Sequence, residues 1–483
     1  MKINRRDALK LTGAATVGGL AAAGAPEKAL AWSEFDPPWG MTQKNSLFHS
    51  LEPFYPGETL GANEMRISFI GTSVVQRQAQ HQNSVFVELG NGDSFVFDLG
   101  SGTTINYAAM QVPYSKTRKV FLTHLHGDHT GDLTQLYCFG PCHDGKSPLY
   151  LFGPSKSLVP DPIDGTIYDD GVRNFAHHLR EMNRWHTESF SFLPTQWNRA
   201  EGDGFDIFAT ELDWKTGDSS KTWSSNPSLE PPFGPAPGPW IAYQYNGVTI
   251  SFQPAVHDRN GFLMYRLDWN GLSMIFTGDT KPNTFLLDLA SQGNGVDVLI
   301  SEIVVPPDIW AERESGISDT TNQIYQTGLL YARSIQENSH TPQKAFGYIL
   351  AQLAKAGKAP RLGIGTHFQA TNDTIKPALD DIRSWYNGPV TIATDFMVIN
   401  VSKTQITQRR AVVSDYTWDT PGTFDPRAKY GVYPPKYEDT NPTNPYFPTA
   451  PLAQLDESLL AAVIPPCDYD PTSFMCTNPY HDI

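Results

Sequence analysis

Short apolar runs separated by Gly and Asn turns begin at Arg66 and recur along the chain. Arg66 to Ile70, Ser84 to Leu89 and Ser94 to Asp98 are rich in β-branched and aromatic side chains, which predicts strands. Thr103 to Gln111 reads as a helix, Val120 to Thr123 as a strand, and Gly131 to Phe139 as the start of a further helix. The rhythm breaks over residues 155–240. That stretch holds a helical pattern, Val172 to His186, and then a loop crowded with Trp, Pro, Gly and Ser. It reads as an insertion over the site. Strand patterns resume at Val248 to Gln253, Phe262 to Asp268, Ser273 to Thr277 and Val296 to Ile300. Helical patterns follow at Pro342 to Ala356 and Ile375 to Trp385, with strands at Arg361 to Thr366 and Val390 to Thr394. No repeat at the roughly 20–50-residue period of solenoids is present. Each half nevertheless runs strands first and helices after, and ends strands in loops carrying His or Asp. Two sheets face to face with helices outside satisfy that order.

The ends of the chain read differently. Residues 32–65 form an irregular arm rich in Pro and aromatics, and the tail after Val413 is Pro-, Tyr- and Asn-rich, an extension across the surface rather than a domain. At the start, Asn4-Arg5-Arg6-Asp7 places a twin arginine before the mildly apolar Leu11 to Gly24, followed by the small-x-small site Ala29-Leu30-Ala31. This predicts a twin-arginine export signal over residues 1–31 and a periplasmic or secreted mature chain from Trp32. The segment is too short and mild for a stable membrane anchor. An oxidising compartment permits disulfides among the four cysteines, Cys138, Cys142, Cys467 and Cys476. Cys467–Cys476 would close a C-terminal loop. Cys138 and Cys142 are near enough to pair, or either could reach the tail, and the sequence leaves the choice open.

The 483 residues carry 36 basic against 51 acidic side chains, a net charge of −15. Affinity for a nucleic-acid backbone comes mainly from Lys and Arg neutralising phosphates, so this balance tilts away from nucleic acid as a partner.

The chemistry concentrates in Thr123-His124-Leu125-His126-Gly127-Asp128-His129, directly after the apolar run Lys119 to Leu122. Three imidazoles and a carboxylate at this spacing aim several ligands at one small volume, and nitrogen with carboxylate oxygen suits zinc and similar ions. Further candidates follow other strand patterns: His257 in Val256-His257-Asp258, Asp279 in Thr277-Gly278-Asp279-Thr280, and His367 in Gly365-Thr366-His367-Phe368. His340 stands at a helix start in Ser339-His340-Thr341-Pro342. Each alone is an ordinary loop residue; the ordered set is not.

That set resembles the metallo-β-lactamase superfamily, in the branch of ribonuclease Z and the zinc-dependent (type III) arylsulfatases, from about Ile67 to Asn400. Phe69-Ile70-Gly71-Thr72, Phe97-Asp98-Leu99-Gly100-Ser101-Gly102 and Ile300-Ser301-Glu302 belong to the likeness. The resemblance implies an α+β fold, a four-layer αββα sandwich with an insertion and an irregular C-terminal tail. It implies one metal held by His124, His126 and His257, a second held by Asp128, His129 and His367, and Asp279 bridging them. Two divalent ions follow as the cofactor, zinc first, with manganese and iron compatible with the same ligands. Asp98 matches a position that orients the histidine loop. His340 and Glu302 match a pair serving the leaving group, and Asp128 can relay a proton. Two departures stand out. Ser73 follows Gly71-Thr72 where a second glycine is common, and Phe368-Gln369-Ala370 replaces the Phe-Ser-x-Arg of ribonuclease Z, which weakens a tRNA-processing reading.

The expectation is an exported dinuclear hydrolase of a small ester, an aryl sulfate or phosphate, with a small-molecule partner and a possible homodimer. Aromatics of the insertion (Trp185, Phe190, Phe192, Trp197, Trp214, Trp223) either line a pocket for a ring-bearing leaving group or form a small core of their own. The alternatives are a ribonuclease Z-like endonuclease, a lactonase, and a non-catalytic secreted metal-binding scaffold. The full ligand set speaks against the last.

Overall fold

The computed structural model describes residues 52–143, 148–189, 204–234 and 236–418, with a backbone hairpin at Tyr469–Asp470 and Met475–Cys476. The predicted export signal, the arm before residue 52, Phe190, Phe192, Trp197, Cys467 and nearly all of the tail lie outside the described residues.

The chain first lays down β1 (Glu52–Phe54), β2 (Met65–Gly71), β3 (Ser84–Leu89), β4 (Ser94–Phe97), β5 (Lys119–Phe121), β6 (Leu149–Pro154), β7 (Ile207–Leu212) and β8 (Lys221–Ser224). It then builds a second sheet from β9 (Ile241–Tyr245), β10 (Val248–Pro254), β11 (Leu263–Trp269), β12 (Leu272–Phe276), β13 (Val298–Glu302), β14 (Leu362–Thr366) and β15 (Val390–Ile392). Finally β16 (Met397–Val401) and β17 (Ile406–Ala411) return to the first. The spatial orders are β1-β17-β16-β2-β3-β4-β5-β6-β7-β8 and β15-β14-β13-β12-β11-β10-β9.

Side-chain alternation explains the layering. In β4 and β5, Phe95, Phe97 and Phe121 point into the space between the sheets, while Val96 and Val120 point outward. In β12, Met274 and Phe276 point inward and Ile275 outward. Both faces of these strands are buried, so their sequences are nearly continuous apolar runs. Between the sheets Phe121 stacks on Phe152 at 4.4 Å and meets Tyr265 edge-on at 5.6 Å. Helices Thr103–Ala109, Leu133–His143 and Val172–Met182 cover the outer face of the first sheet, and Thr284–Ser291, Gln343–Lys355 and Asn372–Arg383 that of the second. The expected four-layer αββα sandwich is the architecture found. No described helix is long and apolar enough to cross a membrane.

Strands β4 to β7 run parallel, as do β12 to β15, so their C-terminal ends share one edge of the sandwich. The loops carrying the candidate ligands leave from that edge. Two bonds join the sheets there: the Tyr265 hydroxyl donates to the Leu122 carbonyl at 2.7 Å, and Leu263 N–H to the Thr123 carbonyl at 2.9 Å.

Several expectations need correcting. The span 155–240 is not wholly an insertion, because β7 and β8 extend the first sheet. Thr210 and Glu211 interrupt the apolar signal of β7, yet all its residues are buried. The helix expected over Val172 to His186 stops at Met182, with Asn183 capping it, and restarts at Arg184. Helix Gln323–Ser339 escaped the pattern because only Tyr325, Ala332 and Gln336 of it are buried. Of the described aromatics, Trp214 and Trp223 are half-buried against the cores of the main sheets, so they form neither a separate small core nor a free pocket wall, while Trp185 is exposed. Cys138 and Cys142 sit one helical turn apart and are not bonded to each other; the Cys142 thiol lies 3.5 Å from the Cys138 carbonyl.

Phe121→Ala empties the centre of the inter-sheet core and is expected to cost about 3–5 kcal/mol in equilibrium denaturation. A loss below about 1 kcal/mol would mean the sheets do not close on that ring.

Candidate metal centre

The loop after β5 turns at once into a short helical turn, Gly127–Thr130, entered from extended backbone at His126. The Thr130 hydroxyl and His129 N–H both donate to the His126 carbonyl, at 2.9 and 3.1 Å. The turn is fixed from beneath by Asp98, which follows β4 in left-handed backbone, φ 58°. Its buried carboxylate accepts from Thr123 N–H at 2.7 Å, the Thr123 hydroxyl at 2.8 Å and His129 Nδ1–H at 2.7 Å. With Nδ1 so engaged, His129 presents Nε2 to the centre.

Four ligand atoms close a ring there. His129 Nε2 lies 3.4 Å from Asp128 Oδ2 and 3.3 Å from Asp279 Oδ1; His367 Nε2 lies 3.1 and 3.4 Å from the same two oxygens. Ligands on a tetrahedral ion with bonds of about 2.0–2.1 Å are separated by roughly 3.3–3.4 Å. Asp279 reaches the ring because Gly278, at φ 54°, has no Cβ; one there would sit 2.5 Å from the Thr123 side chain. Buried atoms His124 Nε2, His129 Nε2 and Asp279 Oδ1 have no hydrogen-bond partner, a costly arrangement that a cation would relieve. This donor set fits a divalent metal.

A second, more open group adjoins the ring. His124 and His126 have ring centroids 4.5 Å apart, and their ligand atoms cluster with Asp128. His257 stands beside this pair, with its ring 5.6 Å from that of His126. Its ring is 5.9 Å from that of His124, and it clusters with His126 and Asp258. Phe262, wedged 4.4 Å from His124 and 4.6 Å from His257, backs both imidazoles. His257 donates from Nδ1 to the Ser339 carbonyl at 2.5 Å, leaving Nε2 3.8 Å from Asp279 Oδ2. Asp279 therefore turns Oδ1 to the ring and Oδ2 to the open group.

Glu302, the last residue of β13, lies buried beside both groups. Its Oε1 accepts from Thr280 N–H at 2.5 Å, and its Oε2 accepts from His340 Nδ1–H at 2.8 Å. Burial pushes Glu302 up; burial works against charge on His340 too, but the Glu302 carboxylate outweighs it and raises His340 to about 9. Burial likewise opposes charge on His129, and Asp279, Asp98 and Asp128 together hold its value well above the ordinary imidazole range. Burial lowers His124 and His257, which favours the neutral, ligating form. Asp128 stays ionised despite burial because His129 and His367 face it.

Two features were not read from the sequence. Asp258 was quoted only as the neighbour of His257. The clamp on His367 was missed altogether. His367 has φ 58°, a costly conformation for histidine, and the segment after it is gripped by the loop between β2 and β3. Phe368 N–H donates to the Thr72 carbonyl at 2.8 Å; Gln80 donates to the Phe368 carbonyl at 3.0 Å and accepts from Ala370 N–H at 2.9 Å. Arg77 bonds both Gln80 and the Ala370 carbonyl. Asp395, whose carboxyl burial pushes up to about 7, anchors the same loop through the Thr72 hydroxyl and His81 N–H, each at 2.7 Å. A lone Gln in a polar loop carries no signal of its own.

A protein-family profile described as Anti-Pycsar protein Apyc1 matches residues 65–158. Among curated proteins, the chain is 23% identical to a ribonuclease BN of Proteus mirabilis over 264 residues, covering 51% of this chain and 78% of that one. It is 21% identical to a ribonuclease Z of Pyrococcus horikoshii over 237 residues, covering 47% and 72%. Among solved structures, the metallo-β-lactamase fold protein YhfI from Bacillus subtilis aligns with a TM-score of 0.41 at 15% identity, covering 70% of this chain and all of that one.

Gln80→Ala releases the turn after His367. It is expected to weaken zinc binding about 10–100-fold by competition with a chromogenic chelator, with a stability loss of about 1–3 kcal/mol from the backbone groups left unpaired. Unchanged zinc affinity would show that His367 holds its position without the clamp.

Proposed function

We propose that this chain, a metallo-β-lactamase-fold protein of the ribonuclease Z-like branch, is an exported hydrolase that uses two divalent ions, zinc first, to cleave a small sulfate or phosphate ester. The observation that carries this reading is Asp279, with one oxygen facing each of two ligand groups. When bound, such ions lower the pKa of water and offset the negative charge that develops on the attacked group.

The protein's own side chains supply the rest. Asp98 fixes His129, and the Ser339 carbonyl fixes His257, so that each presents Nε2. Asp128, ionised and only partly exposed, can take a proton from the attacking water. His340 carries its proton at neutral pH because Glu302 holds it, and it faces the same centre with Nδ1 4.0 Å from Asp279 Oδ2. It is placed to give the leaving oxygen a proton from Nε2. Phosphate and sulfate esters both leave through such an oxygen.

The second reading is a ribonuclease Z-like phosphodiesterase, favoured by the ribonuclease names of the curated relatives. The net charge of −15 and the Phe368-Gln369-Ala370 segment favour a small ester instead. A panel of aryl sulfate, phosphodiester, phosphonate ester, lactone and RNA substrates with metal-replete enzyme separates these readings. Sulfate or phosphate-ester turnover above the rest supports the first; exclusive cleavage of RNA overturns it.

His340→Ala is expected to slow esters with poor leaving groups by about 10²–10⁴-fold and good ones far less. Equal losses would remove its assignment as acid. The imidazolium is retained until pH rises through about 9, so activity on poor leaving groups should fall above that value. The stability of the His340–Glu302 pair is likewise complete below the ordinary imidazole value and lost across the same rise. Glu302→Gln should move the alkaline limb to lower pH; an unmoved limb would assign it to another group.

A further inference from the structure

The loop between β10 and β11 contains a carboxylate that neither the mechanism nor the fold uses. The loop is firmly placed: Ala255 N–H donates to the Phe262 carbonyl at 2.7 Å, Val256 N–H to the Thr280 hydroxyl at 3.0 Å, and Lys281 N–H to the Val256 carbonyl at 2.6 Å. Within it the side chains divide. His257 and Asp258 face the metal centre. Arg259 and Asn260 turn to the 155–170 segment, Arg259 reaching the Ser157 hydroxyl at 3.0 Å and Asp170 at 3.3 Å, Asn260 the Ser157 carbonyl at 3.3 Å. The adjacent guanidinium thus neutralises Asp170, not Asp258.

The Asp258 carboxylate is half-exposed, and among the described residues no Lys or Arg pairs with it. Its Oδ1 lies 3.8 Å from His126 Nε2 and 3.8 Å from His257 Nε2. Those separations are too long for hydrogen bonds. They are slightly wider than the roughly 3.3 Å edge between ligands of a tetrahedral ion. Both imidazole nitrogens are unshared by other hydrogen bonds, since His257 engages the protein through Nδ1. Three donor atoms therefore surround one small space on the solvent side of His126 and His257, with Asp279 Oδ2 behind it, 3.8 Å from His257 Nε2.

We propose that Asp258 is a further ligand of the outer ion, added to His124, His126 and His257. This rests on the two-ion reading and deepens it. The inner ion is enclosed by the buried ring of Asp128, His129, Asp279 and His367; the outer one depends on an exposed carboxylate and a half-exposed His126. The outer ion is accordingly the weaker and faster to exchange. Asp258 adds a third carboxylate to Asp128 and Asp279. Against two divalent ions this leaves a centre of small net positive charge, which suits an anionic ester without trapping its anionic product.

The test uses the full chain stripped of metal and titrated calorimetrically with zinc, then with cobalt while recording the visible spectrum. Wild type should take two equivalents. Asp258→Asn should keep one with unchanged affinity and weaken the other at least about 10-fold, and Asp258→Glu should recover part of that loss. The cobalt spectrum should change only for the weaker equivalent. Two equivalents of wild-type affinity in Asp258→Asn, with an unaltered spectrum, overturn the assignment and leave the two-ion reading standing. A wild type that takes only one equivalent overturns both.

Discussion

The structure turns on a buried carboxylate. Asp279 is 2% exposed, and its Oδ1 has no hydrogen-bond donor. Burying an anion without compensation is expensive, and the fold surrounds this one with imidazoles from three directions: His129, His367 and His257. Without a metal, burial opposes charge on His129 and His367, but the surrounding carboxylates favour protons there; a bound cation would take the place of those protons and balance the same charge. The tetrahedral spacing of the inner ring follows the same logic.

The sandwich exists, from this viewpoint, to hold loops still at one edge. Continuous apolar strands bury both faces, which stiffens the sheets, and parallel runs align their C-terminal ends. The inter-sheet bonds from Tyr265 and Leu263 reach the residues immediately before His124. Strain is then concentrated where ligands sit. Asp98 and His367 both adopt left-handed backbone, and each is locked by several hydrogen bonds to a neighbouring loop. Rigidity in the sheets is what makes such conformations affordable.

Much of this was legible in the sequence because the chemistry needs rare residues at fixed spacing. His124, His126, Asp128 and His129 lie within six residues, and the remaining ligands each follow a strand whose apolar run is plain. The Glu302–His340 pair, 38 residues apart, was visible only through the family likeness, and the structure puts its atoms 2.8 Å apart. What stayed hidden has physical reasons. β7 carries Thr210 and Glu211 among its apolar residues, so a buried edge region looked like loop. Gln80 and Asp395 act through backbone groups of segments about 290 and 314 residues away, a relation no local pattern encodes. The nearness of Asp258 to His126 and His257 depends on which way a turn faces, and spacing does not fix that.

The most direct measurement is an anomalous-diffraction map from crystals of the metal-replete protein, recorded on either side of the zinc edge. Two peaks flanking Asp279, about 3.5–4 Å apart, with one inside the ring of Asp128, His129, Asp279 and His367, are the predicted result. A map without a peak in that ring, from protein whose fold is intact, would contradict the account.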